Sequence, residues 1–506
     1  MTTEDASPTY NSVLFAIAES PISQGTIWTG SHDGLVHVST DGGLTWANVT
    51  QNIPSLPPFG TISNIEPSRF QPGSAYITVD FHQLGISEPH VYKTDDFGAS
   101  WGSTVGDLPR SVFSYVHVIR EDPTRAGLLY LGTENSLFVS FNDGVNWHQL
   151  QGNLPHAPVH WLTVQPHFND LVIGTYGRGF WILDDVTHLQ QLTEEVLDNS
   201  VHLFTPRSAY RYTPRENYNS QPDDPAAGDN PEPGASINFY LKNSFNGNAS
   251  VVIENLNGEH VRTIKINSPI KGLNRIYWDL RYEPSEAPRI RTSVLEHSHI
   301  QVGDNGYRSP PDGGLVRPLA VPGQYTVRLE TGDQIQETQL EILQDPESEA
   351  TSAEMEAQLN FQLQLRDMSN SVSTLINRIE WVRKDLEDLR ERFGSNDRYS
   401  TPLDLGKELE QTLINQEMTL FDLRLTGGSS RQDTIRWPRQ LWAKISSLVQ
   451  YSSGSDHKPT DQSLEVLKLY RNNIQEVIAN WNDFENDELG TFNQMLTESG
   501  LPPIGQ

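Results

Sequence analysis

The turn Ser39-Thr-Asp41-Gly-Gly43-Leu-Thr-Trp46 points to the architecture of this chain, because it recurs twice. The other copies read Thr94-Asp-Asp96-Phe-Gly98-Ala-Ser-Trp101 and Ser140-Phe-Asn142-Asp-Gly144-Val-Asn-Trp147. In such a turn the side-chain oxygen of Asp or Asn accepts hydrogen bonds from backbone N–H groups, the glycine takes a positive φ, and the tryptophan packs between sheets. We predict a structural role for these three repeat turns, which comprise Ser39, Asp41, Gly43, Trp46, Thr94, Asp96, Gly98, Trp101, Ser140, Asn142, Gly144 and Trp147.

The repeat turns belong to a longer sequence repeat. Four segments begin with a short strand that runs into a proline, and these prolines, Pro21, Pro67, Pro123 and Pro166, are 46, 56 and 43 residues apart. A period in the forties with about four short strands per unit is typical of propeller blades, which stack to bury faces that no single sheet can bury. The fourth unit lacks the turn and closes as Gly174-Thr-Tyr-Gly-Arg-Gly-Phe-Trp-Ile-Leu-Asp-Asp185. We therefore predict a partial β-propeller of about four blades over residues 9–190.

Three further segments follow the repeats. Residues 191–234 are rich in turn-forming residues and indicate a linker. Residues 235–345 alternate apolar and polar residues around the hairpin turn Asn257-Gly258, which predicts a small β-sandwich. Residues 350–500 carry apolar residues at heptad spacing, which predicts an antiparallel helical bundle or coiled coil. The chain is thus expected to be multidomain and mainly β, with an α-helical C-terminal part.

Composition narrows the classes of partner. The chain has 506 residues and a formal net charge of -29, which opposes binding to nucleic acid or an anionic membrane and favours neutral or cationic partners. It contains no cysteine, so disulfides and thiolate metal sites are excluded. No stretch reaches the roughly 18 apolar residues of a membrane span, and residues 1–8 show no pattern of an export signal. The compartment stays undetermined.

Together the repeat turns, the segment Gly174–Asp185 and the following strands resemble the bacterial Asp-box (BNR-type) repeat proteins commonly labelled glycosyl hydrolase. The propeller of that group resembles those of sortilin and of xyloglucan-cleaving glycosidases. The stretches starting at Val251, at Tyr277-Trp-Asp-Leu280 and at Pro322 resemble the Ig-like domain of the flagellar hook-capping protein. The resemblance implies a propeller, an Ig-like sandwich and proteins that are often exported.

The blade count departs from that resemblance. Such proteins carry about twice as much propeller upstream, and propellers close with 4–8 blades. An unclosed array would expose strand edges and apolar blade faces unless a partner covers them. We favour the interpretation that the repeats are the C-terminal half of a larger propeller whose other half lies upstream. The alternatives are half of an intermolecular ring, completed by a second copy in a homodimer or by a partner chain, and a rare closed ring of four.

Loops that join strands two and three, and loops that join one blade to the next, are expected to emerge on one face, where propellers bind ligands. Imidazoles, aromatic rings and an arginine on these loops suit a glycan or a protein ligand. We predict ligand binding by His32, His82, Tyr115, His160, Trp161, Tyr176 and Arg178.

Catalysis is the competing interpretation of the same face. A glycoside hydrolase needs two carboxylates that flank the scissile bond, and Asp33, Asp80 and Glu134 are the candidates. Asp33 and Glu134 are better explained as residues that shape turns than as catalytic groups. No histidine spacing on a helix supports a metal site, although His32, Asp33, Asp80 and His82 could surround one point. We therefore predict a non-catalytic binding protein without metal or cofactor, with a glycoside hydrolase as the alternative.

Overall fold

The computed structural model describes residues 13–150, 152–212, 228–245, 247–300, 302–427 and 436–505. The chain divides into two compact units. The first unit comprises Met1–Arg207, Ser236–Gly247 and Ser268–Ile276, and the second comprises Ser208–Ala235, Asn248–Asn267 and Tyr277–Gln506. In the described ranges, no helix combines the length and the apolar character that crossing a membrane requires.

The first unit begins with four small antiparallel sheets whose strands follow one another in chain order. The first sheet contains β1 (Leu14–Glu19), β2 (Ile27–Ser31), β3 (Val36–Ser39) and β4 (Ala47–Asn48). The second contains β5 (Thr61–Pro67), β6 (Ala75–Asp80), β7 (Val91–Thr94) and β8 (Gly102–Ser103). The third contains β9 (Val116–Glu121), β10 (Leu129–Thr133), β11 (Leu137–Ser140) and β12 (His148–Gln149). The fourth contains β13 (Val159–Gln165), β14 (Asp170–Thr175) and β15 (Phe180–Leu183).

Apolar side chains fill the layers between successive sheets. Trp28 and Ile77 belong to the layer between the first and second sheets. Val91 and Leu131 belong to the layer between the second and third, and Tyr130 to the layer between the third and fourth. Each sheet therefore buries a face only where a neighbouring sheet covers it.

The three repeat turns share one hydrogen-bond network. In the second copy the Thr94 hydroxyl donates to Asp96 Oδ1 at 2.9 Å and accepts from the Gly98 N–H at 2.9 Å, while the Ser100 N–H donates to Asp96 Oδ1 at 2.8 Å. The first and third copies repeat these contacts, with the Asn142 amide oxygen in place of a carboxylate. In the first copy, hydrogen bonds from the Thr45 hydroxyl and N–H lower the pKa of Asp41 to about 2.

The tryptophans of these turns reach back to the preceding sheet. Trp101 of the second sheet packs edge-on against Trp28 of the first, with ring centroids 5.9 Å apart. The Trp147 indole N–H donates to the carbonyl of Thr104, in the second sheet's region, at 3.0 Å. Among the described residues no sheet precedes the first one, and Trp46 is 43% exposed, so it does not pack between two of these sheets as expected.

The segment interpreted as a linker contains regular structure where the chain is described. It follows α1 (Thr187–Gln191) and holds α2 (Glu194–Asp198), β16 (Val201–Leu203) and β17 (Ala209–Arg211). The Thr193 hydroxyl accepts the Val196 N–H and thereby caps α2. Residues 213–227 of that segment lie outside the described residues.

Strands of the predicted sandwich segment join two different sheets. The strands β18 (Ala235–Leu241) and β21 (Gly272–Trp278) form a sheet of order β16-β18-β21, whose residues fall mostly in the first unit. The second unit holds β19 (Ala249–Asn255), β20 (His260–Ile266), β22 (Gly323–Thr331) and β23 (Gln334–Gln344), in a five-stranded sheet of order β17-β23-β22-β19-β20. The pairing of β17 with β23 is parallel, which local alternation of apolar residues does not predict.

Helices complete the second unit: α3 (Ser352–Phe393), α4 (Ser400–Leu420), α5 (Leu441–Ser452), α6 (Asp461–Asp483) and α7 (Gly490–Glu498). Seam residues of α3 are buried in one apolar cluster with residues of the other helices. Inside it, Arg383 Nη1 donates to Glu380 Oε1 and Glu417 Oε2, both at 2.7 Å, which pairs a buried cation with two carboxyls. A mainly β chain with an α-helical C-terminal part is confirmed.

The first unit should lose stability as the pH falls, because of His188 in α1. Burial, together with the positive charge of Arg275, lowers the pKa of His188 to about 4. An unfolded histidine titrates near 6.5, so the unfolded chain binds a proton at this residue between pH 6.5 and 4 while the folded chain does not. The contribution of neutral His188 to the free energy of unfolding is therefore complete above pH 6.5, and about 3 kcal/mol of it is lost as the pH falls to 4. Calorimetry should show a steeper fall in melting temperature between pH 6.5 and 4 for the wild type than for His188→Gln. The exposed His148→Gln is the control, and identical pH profiles for the wild type and His188→Gln would contradict this assignment.

Loss of the buried hydroxyl of a repeat turn should destabilise the first unit. Thr94→Val keeps the side-chain shape but leaves the buried Gly98 N–H without its acceptor, at a cost of about 1–3 kcal/mol. Thr45→Val is the matched comparison, because the Thr45 hydroxyl donates to Asp41 at an exposed position where water can replace it. Denaturant unfolding should show a clearly larger loss for Thr94→Val, and equal losses would refute the structural role of this contact.

Candidate functional site

An irregularity in register recurs at the same place in each of the four sheets. Paired residues on the first strand skip one position, which leaves Phe15, Ser63, His117 and His160 as bulge residues of β1, β5, β9 and β13. A β-bulge bends the strand and redirects the side chain of its extra residue. Because adjacent sheets repeat this geometry, the two histidines meet, with ring centroids 4.1 Å apart.

A continuous row of rings runs across three sheets at this end of the strands. His82 stacks on Tyr115 at 5.0 Å, and Tyr115 meets the edge of His117 at 5.3 Å. Beyond His117, the ring of His160 stacks on Tyr176 at 5.4 Å. We call these five residues, with the carboxylates of Asp80 and Glu134 that bond to them, the ring strip.

Both carboxylates of the ring strip are engaged by their neighbours. Asp80 accepts the His82 backbone N–H at 2.9 Å and contacts His82 Nδ1 at 2.7 Å. Glu134 Oε2 lies 2.9 Å from His117 Nε2. Partial burial, together with the hydrogen bond from the phenol to Glu134, raises the pKa of Tyr115 above its ordinary value. Partial burial and the adjacent His117 lower the pKa of His160, which favours the neutral imidazole.

The structure brings six of the predicted site residues together in the ring strip: Asp80, His82, Tyr115, Glu134, His160 and Tyr176. The others lie apart from this chain of contacts. His32 Nδ1 is 2.9 Å from the Thr61 hydroxyl, so it links the first sheet to the second. Asp33 accepts the hydroxyl of Ser31. Trp161 stacks under the Arg120 guanidinium at 4.3 Å, and Arg178 lies in the β14–β15 turn, where its carbonyl accepts the Trp181 indole N–H.

His117 is the site residue that sequence reasoning missed. It lies inside the predicted strand β9, where an apolar-polar alternation gives it an ordinary outward position. The available signal was the repeat itself, since Val116-His117 occupies the place that Val159-His160 occupies in the next unit.

Potential metal ligands also differ from the sequence expectation. Among the described residues, His117, Glu134 and His160 form a group whose ligand atoms all lie within 4.8 Å of one another. The four residues that the sequence suggested as a possible metal site do not form one group. Asp80 and His82 bond to each other, whereas His32 bonds to Thr61 and Asp33 bonds to Ser31.

Both ends of the four-sheet array expose an apolar face. In β1, Ala16 and Ala18 pack toward the second sheet, whereas Phe15 and Ile17 face outward, and Ile17 is 71% exposed. In β15, Trp181 and Leu183 pack toward the third sheet, whereas Phe180 and Ile182 face outward, and Phe180 is 86% exposed. Outward apolar residues on two end faces are typical of a surface that another molecule covers.

No family model matches this chain, and no curated protein matches it. Similar solved structures include the GH74 xyloglucanase from Xanthomonas campestris, with 19% identity over 36% of this chain and 29% of that chain, at a TM-score of 0.28. An ancestral GH74 enzyme has 17% identity over 50% of this chain and 32% of that chain, at a TM-score of 0.29. YCF48 bound to D1 peptide has 14% identity over 64% of this chain and 82% of that chain, at a TM-score of 0.26. The chain thus spans about a third of the length of the two GH74 enzymes, and similarity this low transfers no function to it.

Proposed function

We propose that this chain is a non-catalytic binding protein whose first unit is a partial Asp-box β-propeller and which recognises a polar ligand through the ring strip. The observation that carries the proposal is the continuity of the strip, which joins side chains of three successive sheets by direct contacts. His160 and Tyr176 at one end are exposed and therefore accessible to a ligand.

The stacking within the strip favours a protein segment over a glycan. A sugar binds aromatic residues through the free face of a ring, but the facing sides of His82 and Tyr115, and of His160 and Tyr176, are stacked on each other. Both carboxylates are already bonded within the strip, so ring edges and the exposed outer side of Tyr176 with its phenol remain for a ligand. A single exposed ring beside hydrogen-bonding edges suits a peptide side chain and its backbone. The net charge of -29 favours a neutral or basic segment.

Hydrolysis is the weaker alternative because each candidate carboxylate is already hydrogen-bonded to a neighbouring side chain. A glycosidase needs one carboxyl as acid and another as base or nucleophile on opposite sides of the glycosidic bond. Both oxygens of Asp80 are occupied by His82, Glu134 is held by His117, and Asp33 is bonded to Ser31. These contacts suit positioning roles better than proton transfer.

Peptide selection tests the binding proposal. A displayed library of neutral and basic peptides, panned on the full chain, should yield binders whose affinity falls about tenfold or more in Tyr176→Ala, because one buried aromatic contact contributes at least 1.4 kcal/mol. The control is Tyr451→Ala, which removes another strongly exposed tyrosine, in α5 of the second unit. Binders unaffected by Tyr176→Ala and His160→Ala would contradict the assignment.

A polysaccharide panel that includes xyloglucan separates the alternatives. We expect no release of reducing ends by the wild type. If the wild type releases reducing ends and Asp80→Asn or Glu134→Gln abolishes this release, the protein is a hydrolase instead. If it binds a glycan without releasing reducing ends, the ligand is a glycan.

We further propose that two copies of the chain close one ring. Propellers close with 4–8 blades, and two arrays of four sheets supply eight. A two-fold axis would place the first sheet of each copy on the fourth sheet of the other, so that the same contact forms twice and covers both apolar end faces. The outward residues Ile17 and Phe180 would then be buried like their counterparts between the inner sheets.

Light scattering on the purified chain tests closure. We expect twice the chain mass of 56.9 kDa. Ile17→Glu and Ile182→Glu should each produce monomers, because a charge cannot be buried unpaired in the contact. Ile335→Glu in β23 changes an exposed isoleucine of the other unit and should remain dimeric. A monomeric wild type at tens of micromolar would contradict closure by a second copy. The apolar end faces would then have to be covered by a different protein or by further propeller sheets of the same protein.

A further inference from the structure

We propose that His117, Glu134 and His160 bind one divalent transition-metal ion, with zinc as the best fit. This goes beyond ligand recognition by the ring strip and does not depend on it. The side chains come from three separate segments, namely the bulges of β9 and β13 and the loop after β10. Their ligand atoms already lie within 4.8 Å of one another.

The donor set selects the class of metal. Two imidazole nitrogens and one carboxylate are the protein ligands of many zinc sites that keep a fourth position open. Magnesium and calcium prefer all-oxygen ligands, whereas imidazole suits zinc, copper, nickel and cobalt. An ion would replace the 2.9 Å contact between His117 Nε2 and Glu134 Oε2, and the rings of His117 and His160 would turn so that a nitrogen of each points at it in the ring plane.

The surroundings of the three ligands also suit a metal site. His117 and Glu134 are largely buried, whereas His160 is exposed and provides an entry path from solvent. Tyr115 lies against His117, with ring centroids 5.3 Å apart, and so supports the orientation of that ligand from behind.

Among the described residues, the repeat geometry allows this site between the third and fourth sheets and at no earlier pair of sheets. The equivalent bulge positions of the first two sheets hold Phe15 and Ser63, which offer no imidazole. The ion would join β9 to β13, next to Tyr176, which stacks on His160.

Equilibrium dialysis of the tag-free full chain against Zn²⁺, after removal of metals with a chelator, tests the site. We expect one equivalent of zinc per chain, and affinity lowered by about 10–100-fold or more in each of His117→Gln, Glu134→Gln and His160→Gln. His148→Gln, an exposed histidine on β12 of the third sheet, is the matched control and should bind like the wild type. Cobalt bound in place of zinc should give the visible absorption of a four-coordinate site, which the three ligand variants should lack.

His160→Gln keeps the test decisive if the buried variants fail to fold, because His160 lies at the surface. Zinc binding that is no tighter than that of the His117→Gln/His160→Gln double variant, or that His160→Gln leaves unchanged, would overturn the proposal. Neither result depends on the peptide selection, so failure of the metal site and failure of the binding function are distinguishable.

Discussion

The first unit depends on one constraint: a sheet of three or four short strands has two apolar faces and cannot cover either of them by itself. Stacking solves this for the inner faces, where Trp28, Leu131 and Tyr130 lie in successive layers. The same constraint directs the turn tryptophans, which reach back to the preceding sheet in the second and third copies. It also leaves Trp46, Ile17 and Phe180 uncovered at the ends, because stacking in a row always leaves a first and a last face.

Repetition then determines where chemistry can occur. Every first strand has its bulge at the same position, so the backbone delivers one side chain per sheet to the same edge. The residue type at that position, and not the fold, decides what the edge can do. Phenylalanine and serine occupy it in the first two sheets, and histidine in the last two. Neighbouring sheets therefore differ in chemistry while sharing a scaffold, and the donor atoms of the ring strip gather at one end of the array.

Local sequence signals predicted the elements better than their partners. The turn residues around Asp41 and the seam of α3 follow from hydrogen-bonding capacity and heptad spacing, both of which are local properties. The order of strands and loops along the chain was enough to predict that Asp80, Tyr115 and His160 would share one edge, because their loops emerge on the same side of successive sheets. His117 was missed because a bulge depends on register with the neighbouring strand and leaves alternation unchanged. The same limit applies to β17, β18 and β21, whose sheet partners are distant in sequence and are chosen by tertiary packing.

The position of the ring strip relates recognition to assembly. The strip begins at Asp80 in the second sheet and finishes at Tyr176 in the fourth, whose outer face carries Phe180 and Ile182. In a ring closed by two copies, the bulge residue that follows His160 would be Phe15 of the other copy. A phenyl ring supplies no metal ligand and no hydrogen-bond donor, so the polar strip would stop at that boundary. Each half of the ring would hold a complete set of His117, Glu134 and His160. Metal binding would therefore be a property of a single chain and would be the same in monomer and dimer. The affinity for a ligand would depend on the second copy only if the ligand extends beyond Tyr176 to the neighbouring sheet.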